Sequence, residues 1–437
     1  MNQLLKPHQT VLTETTRASC RIQKFLGGGG QGEVYQAELG GRLMALKWYF
    51  RRSATPEQRW ILEDLVRRPA PNARFLWPIE LVSASNTPGF GYVMGLRPSR
   101  YRGIVDLMKC RIQPGFRALI TAGYQLADSY YQLHSVGLCY RDISFGNVFF
   151  DPDSGDVLIC DNDNVAIDRG EKGGVLGTPK FMAPEIVRGE ASPSRDSDLY
   201  SLAVLLFYML MVHHPLEGSR ESQVRCLDLP AMNRLYGTDP VFIFDPIDDS
   251  NRPDPVFHRN PLEFWAVYPS LLRDMFTRSF TDGLMRPQAR VKETEWRAAL
   301  TQLRDLIAYC ASCGVENFYN GTTPEAVSEQ VCWACGAPLR WPARLQIENR
   351  YIVMLNHDTE LFPHHLDPRC QHDFSHPLGK VSRHPTDPNV WGLKNLSKTN
   401  WVVTQPNGAM LDVPPEKNVR LVRGATIHFG AVKGNIL

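Results

Sequence analysis

Two spacings in the sequence carry chemistry. Gly27, Gly28, Gly29, Gly30, Gln31, Gly32, Glu33 and Val34 fit G-x-G-x-x-G-x-V. A backbone without Cβ atoms can lie against phosphate oxygens and aim its N–H groups at them. By itself the pattern also describes a flexible hairpin. Ala45-Leu46-Lys47 follows on the next strand-like run, 15 residues beyond Gly32. A lone lysine is usually solvated; one placed so is out of the ordinary. The second spacing is Cys310-x-x-Cys313 and Cys332-x-x-Cys335, separated by 18 residues, each pair followed by glycine (Gly314, Gly336). Two such knuckles let four thiolates meet tetrahedrally at about 2.3 Å from zinc, and glycine permits the tight turn. Four cysteines leave no open coordination position, so the expected zinc is structural. Two disulfides or a redox pair are the alternatives.

The chain of 437 residues must build elements that hold these groups, and its 43% hydrophobic content suffices for packed cores. At about 150 residues per domain the length suggests two or three domains. The 48 Lys and Arg nearly balance the 46 Asp and Glu, which argues against a nucleic acid as main partner. The N-terminal stretch lacks the apolar core of a signal peptide. Leu199–Val212 is too short to span a bilayer and reads as a buried core helix. A cytoplasmic protein is expected, and a reducing compartment favours metal over disulfides for the paired cysteines. Residues 1–20 read as a polar lead-in. Thr55 caps a helix with Pro56 in its first turn, and residues 74–96 read as two strands around Ser85-Asn86-Thr87-Pro88-Gly89. Helical segments dominate 115–218, a Pro- and Asp-rich surface insertion covers 238–261, and a last helix covers 293–309. From Ile347 onward short β-type runs suggest a small all-β module.

Tyr140-Arg141-Asp142-Ile143-Ser144-Phe145-Gly146-Asn147 resembles the protein-kinase pattern H-R-D-L-x-x-x-N. Asp161 ends the apolar run Val157–Cys160 where that family places the Asp of D-F-G. Gly177–Glu185 resembles the end of an activation segment, and Asp198-Leu199-Tyr200-Ser201 the start of the large lobe's central helix. The resemblance covers residues 21–305 and implies a bilobal α+β kinase fold. It implies that Lys47 contacts the α- and β-phosphates of ATP, that Asp142 accepts the substrate hydroxyl proton, and that Asn147 and Asp161 hold Mg2+. Gly27, Gly29, Gly32 and Val34 then line the phosphates, with Met94-Gly95-Leu96 as the adenine-side hinge. A helix acid should pair with Lys47; Glu63 is the expected residue and Glu57 the second choice. Glu185 should pair with a late arginine, Arg290 before Arg286.

The departures from the pattern have consequences. Tyr140 replaces a histidine that mainly packs. Ser144 stands where a lysine usually helps neutralise the transferred phosphate. Asn162-Asp163 replace Phe-Gly, so Asp163 could share the metal or cap the turn. Between Asp161 and Glu185 Thr178 is the sole hydroxyl residue, so activation by a central loop phosphate is not expected; Thr178→Val is the test.

Residues 345–437 resemble a forkhead-associated β-sandwich in Leu393–Asn400 and Leu421–Gly430. Displacement of His384 and replacement of Gly-Thr by Trp401-Val402 weigh against phosphothreonine binding by Ser382, Arg383, Ser397 and Asn400. His357, His364, His365, His372 and His376 are irregularly spaced and read as solvated loop histidines rather than a metal site. The resulting division is 1–20 lead-in, 21–305 kinase domain, 306–340 four-cysteine zinc ribbon, which needs its metal to fold, and 341–437 β-sandwich. The whole arrangement resembles the bacterial kinases of tellurite-resistance-associated phosphorylation triads. That resemblance implies a von Willebrand A domain protein and a PP2C-type phosphatase as partners. The function so read is an ATP- and Mg2+-dependent serine/threonine protein kinase with a structural zinc ribbon (Zn2+) and a C-terminal docking module. The competing readings are a pseudokinase scaffold that binds nucleotide and a nucleic-acid-associated regulator acting through the ribbon.

Overall fold

A computed structural model describes residues 3–168, 176–321, 329–387 and 390–437. The chain forms two compact units. One comprises Met1–Gln113, Gln125–Pro261 and Phe276–Glu293; the other comprises Pro114–Tyr124, Leu262–Met275 and Thr294–Leu437.

The first unit begins with six strands: β1 (Thr10–Thr13), β2 (Ser19–Gly28), β3 (Gly32–Leu39), β4 (Arg42–Tyr49), β5 (Glu80–Ala84) and β6 (Thr87–Gly95). They pair in the order β1-β2-β3-β4-β6-β5 and close into a barrel through Leu12↔Ser83 and Thr13↔Val82. Residues 10–13 lie within the stretch read as a polar lead-in, yet they form β1. Val11 and Thr13 alternate inward, and Leu5, Val11, Cys20, Ile22, Tyr35 and Trp48 fill the interior. Burial of that apolar face outweighs the polar composition of the segment. Helix α1 (Pro56–Arg67) lies between β4 and β5. Thr55 caps it, its side chain accepting from the Gln58 N–H at 3.2 Å.

The remainder of this unit is mainly helical around Arg195–Met211, whose residues from Ser197 onward are all buried. No described helix is long and apolar enough to cross a membrane. A hairpin of Val148–Phe150 and Val157–Ile159 pairs Val148 with Ile159. The Cys160 N–H extends that ladder to the Asn147 carbonyl at 2.8 Å. Asn147 and Asp161 are therefore delivered to one end of one hairpin.

In the second unit the helix expected over 293–309 ends at Asp305. Ile307–Tyr309 instead pairs as a strand with Glu316–Phe318, a hairpin that carries Cys310 at its turn. The chain must leave the helix there because the knuckle needs the Cys310 N–H to bond Val315, at 2.9 Å. Two sheets follow. The six-stranded one runs Tyr351–Met354, Arg344–Ile347, Lys433–Ile436, Thr426–His428, Trp401–Thr404, Met410–Val413; the four-stranded one runs Glu360–Leu361, Gly379–Arg383, Trp391–Asn395, Asn418–Arg420. Leu345, Val353, Leu361, Val381, Leu393 and Trp401 share one core between them. That is sandwich packing, with one short helix, Pro363–Leu366, at its side.

Candidate active site and cysteine cluster

Lys47 points from β4 into the first unit's interior and is 4% exposed. Its Nζ lies 2.8 Å from Asp163 Oδ2 and 3.5 Å from Asp161 Oδ1. Burial favours the neutral amine, but the two carboxylates outweigh it and hold Lys47 above its ordinary range. Asp163 is enclosed, with Tyr49 donating to Oδ2 and Tyr92 donating to Oδ1 at 3.1 Å. Burial alone would push its carboxyl up; Lys47 and these donors bring it below the usual carboxylate range. Asp161 is raised, by burial first and by the neighbouring Asp163 charge, against the pull of Lys47.

Glu63 does not reach Lys47. It pairs with Arg59 one turn earlier at 3.0 Å, on the outer side of α1. The reason is helix phase. Leu62 and Leu65 are the buried residues of α1, and Gln58 shares their side at i−4 and i−7. Gln58 is therefore the inward polar residue, donating to the Asp163 carbonyl at 3.0 Å and to the Tyr49 hydroxyl at 3.4 Å. Glu57, the second choice, is exposed. Counting from Lys47 missed Asp163 and Gln58; the leucine phase of α1 was the available signal for Gln58.

Asp142 is held by two neighbours. Its Oδ1 accepts from the Thr178 hydroxyl at 2.7 Å and its Oδ2 from Asn147 Nδ2 at 3.0 Å. Burial raises its carboxyl above the ordinary value despite these donors, a direction that suits a proton acceptor. Asp161 adopts a left-handed backbone, φ 49°, with a 39% exposed side chain. The Tyr140 hydroxyl donates to the Cys160 carbonyl, so Tyr140 does more than pack: it ties the Asp142 loop to the residue before Asp161. The Thr178 hydroxyl is already engaged with Asp142, and residues 169–175 of the interval considered for activation lie outside the described residues.

Val34, Ala45, Met94 and Leu96 belong to one apolar cluster, with Ala45 and Met94 buried and Val34 and Leu96 partly buried. The β2–β3 turn is closed by the Gly29 N–H to the Gly32 carbonyl at 2.9 Å. A Cβ on Gly32 would collide with the Trp48 carbonyl, whereas Gly27 and Gly29 have open space beside them. Gln31 at the tip accepts from Lys47 at 3.1 Å and donates to Asn164 at 3.3 Å.

Arg290 makes the expected fork to Glu185, at 2.8 and 2.7 Å, and caps the carbonyls of Asp196 and Gly283. Arg286 pairs instead with Asp282 on the surface. Asp198 accepts from the Arg141 N–H at 2.9 Å and faces His134, which also meets Glu293.

The four cysteines converge, all sulfurs within 4.8 Å of one another. Cys310 and Cys335 are 3.8 Å apart, Cys313 and Cys332 3.6 Å. Sulfurs placed tetrahedrally at about 2.3 Å from one ion would be about 3.8 Å apart. Gly314 and Gly336 take φ +76° and +71°, and each donates its N–H to the carbonyl of the first cysteine of its knuckle at 2.8 Å. The donor set and its spacing fit a tetrahedral zinc.

His364 and His365 are buried rather than solvated, because the short helix Pro363–Leu366 turns them inward. His365 Nδ1 accepts the Phe362 N–H at 2.9 Å, leaving its Nε2 to face Asp305 at 3.0 Å. His365 thus pairs with Asp305, and the ligand atoms of Asp305, His364 and His365 lie within 4.8 Å of one another. His357 and His376 are exposed and His372 half-buried. Ser397 is spent locally on Asn395 at 2.7 Å, Asn400 on Asp412 at 3.0 Å and Ser382 on Asn418 at 2.8 Å.

Residues 107–259 match the protein kinase domain family. The DNA damage-responsive serine/threonine-protein kinase RqkA of Deinococcus radiodurans is 29% identical over 221 residues, 46% of this chain and 31% of that kinase. The serine/threonine-protein kinase pkn2 of Myxococcus xanthus is 28% identical over 45% of this chain and 25% of its own length. Protein kinase C delta type of Mus musculus is 28% identical over 48% of this chain and 32% of its own length. The matched stretch thus spans a third or less of each of these relatives. The chain carries a protein kinase domain, and the relatives it resembles are serine/threonine kinases.

Proposed function

We propose that the protein transfers the γ-phosphate of ATP to serine or threonine hydroxyls of protein substrates. The observation that carries this is the meeting of Lys47 and Asp161 at 3.5 Å, residues from two distant motifs, in a unit that also gathers Val34, Met94 and Leu96 into one apolar cluster. In this reading Met94 and Leu96 flank the adenine, with Val34 above it. Gly27, Gly29 and Gly32 lay backbone along the phosphates, and Lys47 neutralises the α- and β-oxygens. Asn147 and Asp161 are the residues that would hold Mg2+, which supplies charge neutralisation on the β- and γ-oxygens. Asp142 accepts the substrate hydroxyl proton, oriented by Thr178 and Asn147.

A second reading, a scaffold that only binds nucleotide, is favoured by two features. Ser144 stands in the place of a lysine, and Gln31 is bonded to Lys47. One experiment separates the two readings. In Mg–ATP carrying labelled γ-phosphate, the wild type should label a protein substrate about a hundredfold or more faster than Asp142→Asn. Equal rates would leave only the scaffold. Cys310, Cys313, Cys332 and Cys335 would hold one structural Zn2+, and the C-terminal sandwich would dock partners. The von Willebrand A domain protein and PP2C-type phosphatase implied by the resemblance are the candidates for a binding assay.

A further inference from the structure

Lys47 has two acids beside it and a helix that supplies neither. Asp163 is 1% exposed. Its Oδ2 takes Lys47 at 2.8 Å together with the Tyr49 hydroxyl, and its Oδ1 takes the Tyr92 hydroxyl at 3.1 Å. Both oxygens are occupied by donors from β4 and β6, so the carboxylate is not arranged to ligate a metal. Asp161 is the opposite case, with a 39% exposed side chain and a longer contact to Lys47. From α1 the residue facing this centre is Gln58, which is neutral and donates to the Asp163 main chain. Glu63 is turned away to Arg59.

We propose that Asp163 is the positioning residue for Lys47, the buried counter-charge that α1 does not provide. Where a helix acid holds the lysine, displacement of that helix dismantles the site. Here the lysine is held by the same short turn, Asn162–Asn164, that follows Asp161. Lysine anchor and metal-facing acid therefore sit on one turn, which α1 braces through Gln58 without supplying the charge. A division of labour follows. Asp163 answers the lysine's charge within the protein, and Asp161 stays free for a cation. The consequence for activity rests on the phosphotransfer reading; the anchoring does not.

The test uses the full chain with Asp163→Asn, Gln58→Glu and the double variant. The first readout is acylation of Lys47 by an amine-reactive acyl phosphate of ATP, followed against pH. Lys47 is faced by Asp161, Asp163 and Asp142, by Tyr49 and Tyr92 from the barrel, and by Gln31 from the hairpin. Removing one negative charge makes the ammonium easier to deprotonate. The acylation midpoint in Asp163→Asn should therefore move down by about one pH unit or more. In the double variant it should return towards wild type, because Gln58→Glu places a carboxylate on the inward face of α1. The second readout is phosphotransfer, expected to fall about tenfold or more in Asp163→Asn and to recover in the double variant. An unchanged midpoint in Asp163→Asn overturns the proposal, as does a midpoint that the double variant does not restore. If Asp163→Asn alone does not fold, the double variant decides: recovery of fold and profile supports the anchor, and no recovery overturns it. A wild type that transfers no phosphate defeats the catalytic reading, while the acylation profile still decides the anchor.

Discussion

Two centres of the molecule handle charge in opposite ways. Lys47 and Asp163 are buried and answer each other, with two tyrosine hydroxyls completing the carboxylate. The cysteine quartet brings four sulfurs together, and the donors reaching them include the Ser312 N–H and the Asn317 amide, which are neutral. The first centre can form as the chain folds, because its charges cancel. The second gathers sulfurs rather than opposed charges, and on the zinc reading an external cation would supply the balance. A buried pair is costly to break from one side, whereas a metal knuckle can be undone by a chelator without touching the sequence.

The largest expected effect comes from the quartet. Metal analysis should give one zinc per chain, and removing it should cost on the order of 10 kcal/mol locally. Trp333 packs with its ring centre 5.6 Å from that of Phe116 and 6.0 Å from that of Phe264, so its fluorescence should report the loss. A chelated protein with unchanged Trp333 emission would break the contrast. Next comes Arg290→Ala, which leaves Glu185 without its fork. It should lower stability by about 3–5 kcal/mol in urea titration, and a loss below about 1 kcal/mol would show that internal pairing matters less than argued.

His134 sharpens the comparison through pH. Burial lowers its pKa, but Asp198 and Glu293 win and raise it from 6.5 to about 9. The stabilisation is therefore complete below pH 6.5 and is lost as pH rises towards 9. Thermal melts across that window should show a loss on the order of 3 kcal/mol, and His134→Gln should flatten the slope. The smallest effect is Glu63→Ala. Its pair with Arg59 is half-exposed, so stability should change by less than about 0.5 kcal/mol and the KM for ATP should stay put. A large rise in KM would return the lysine anchor to α1.

Motif order in the sequence was enough to bring Lys47, Asp142, Asn147 and Asp161 into consideration as one cleft, because each follows from local spacing. The Glu185–Arg290 fork was legible for the same reason. What was not legible depends on three-dimensional phase. Glu63 sits one residue past Leu62, and that single step, about 100° of helix rotation, turns it outward. Asp163 occupies a glycine's usual place, and nothing local says that two tyrosines from β4 and β6 will close over it. His364 and His365 read as loop residues until Leu361 and Leu366 on either side are seen in the sandwich core. Val11 was hidden by its polar neighbours, since a four-residue strand offers too few alternations to notice.

The strand it belongs to has one more effect. Because β1 bonds both β2 and β5, the small sheet presents no unpaired strand edge. An open sheet of this size would offer two rows of free N–H and C=O groups as templates for another chain. Four residues, Thr10–Thr13, thus guard the barrel against edge-to-edge aggregation.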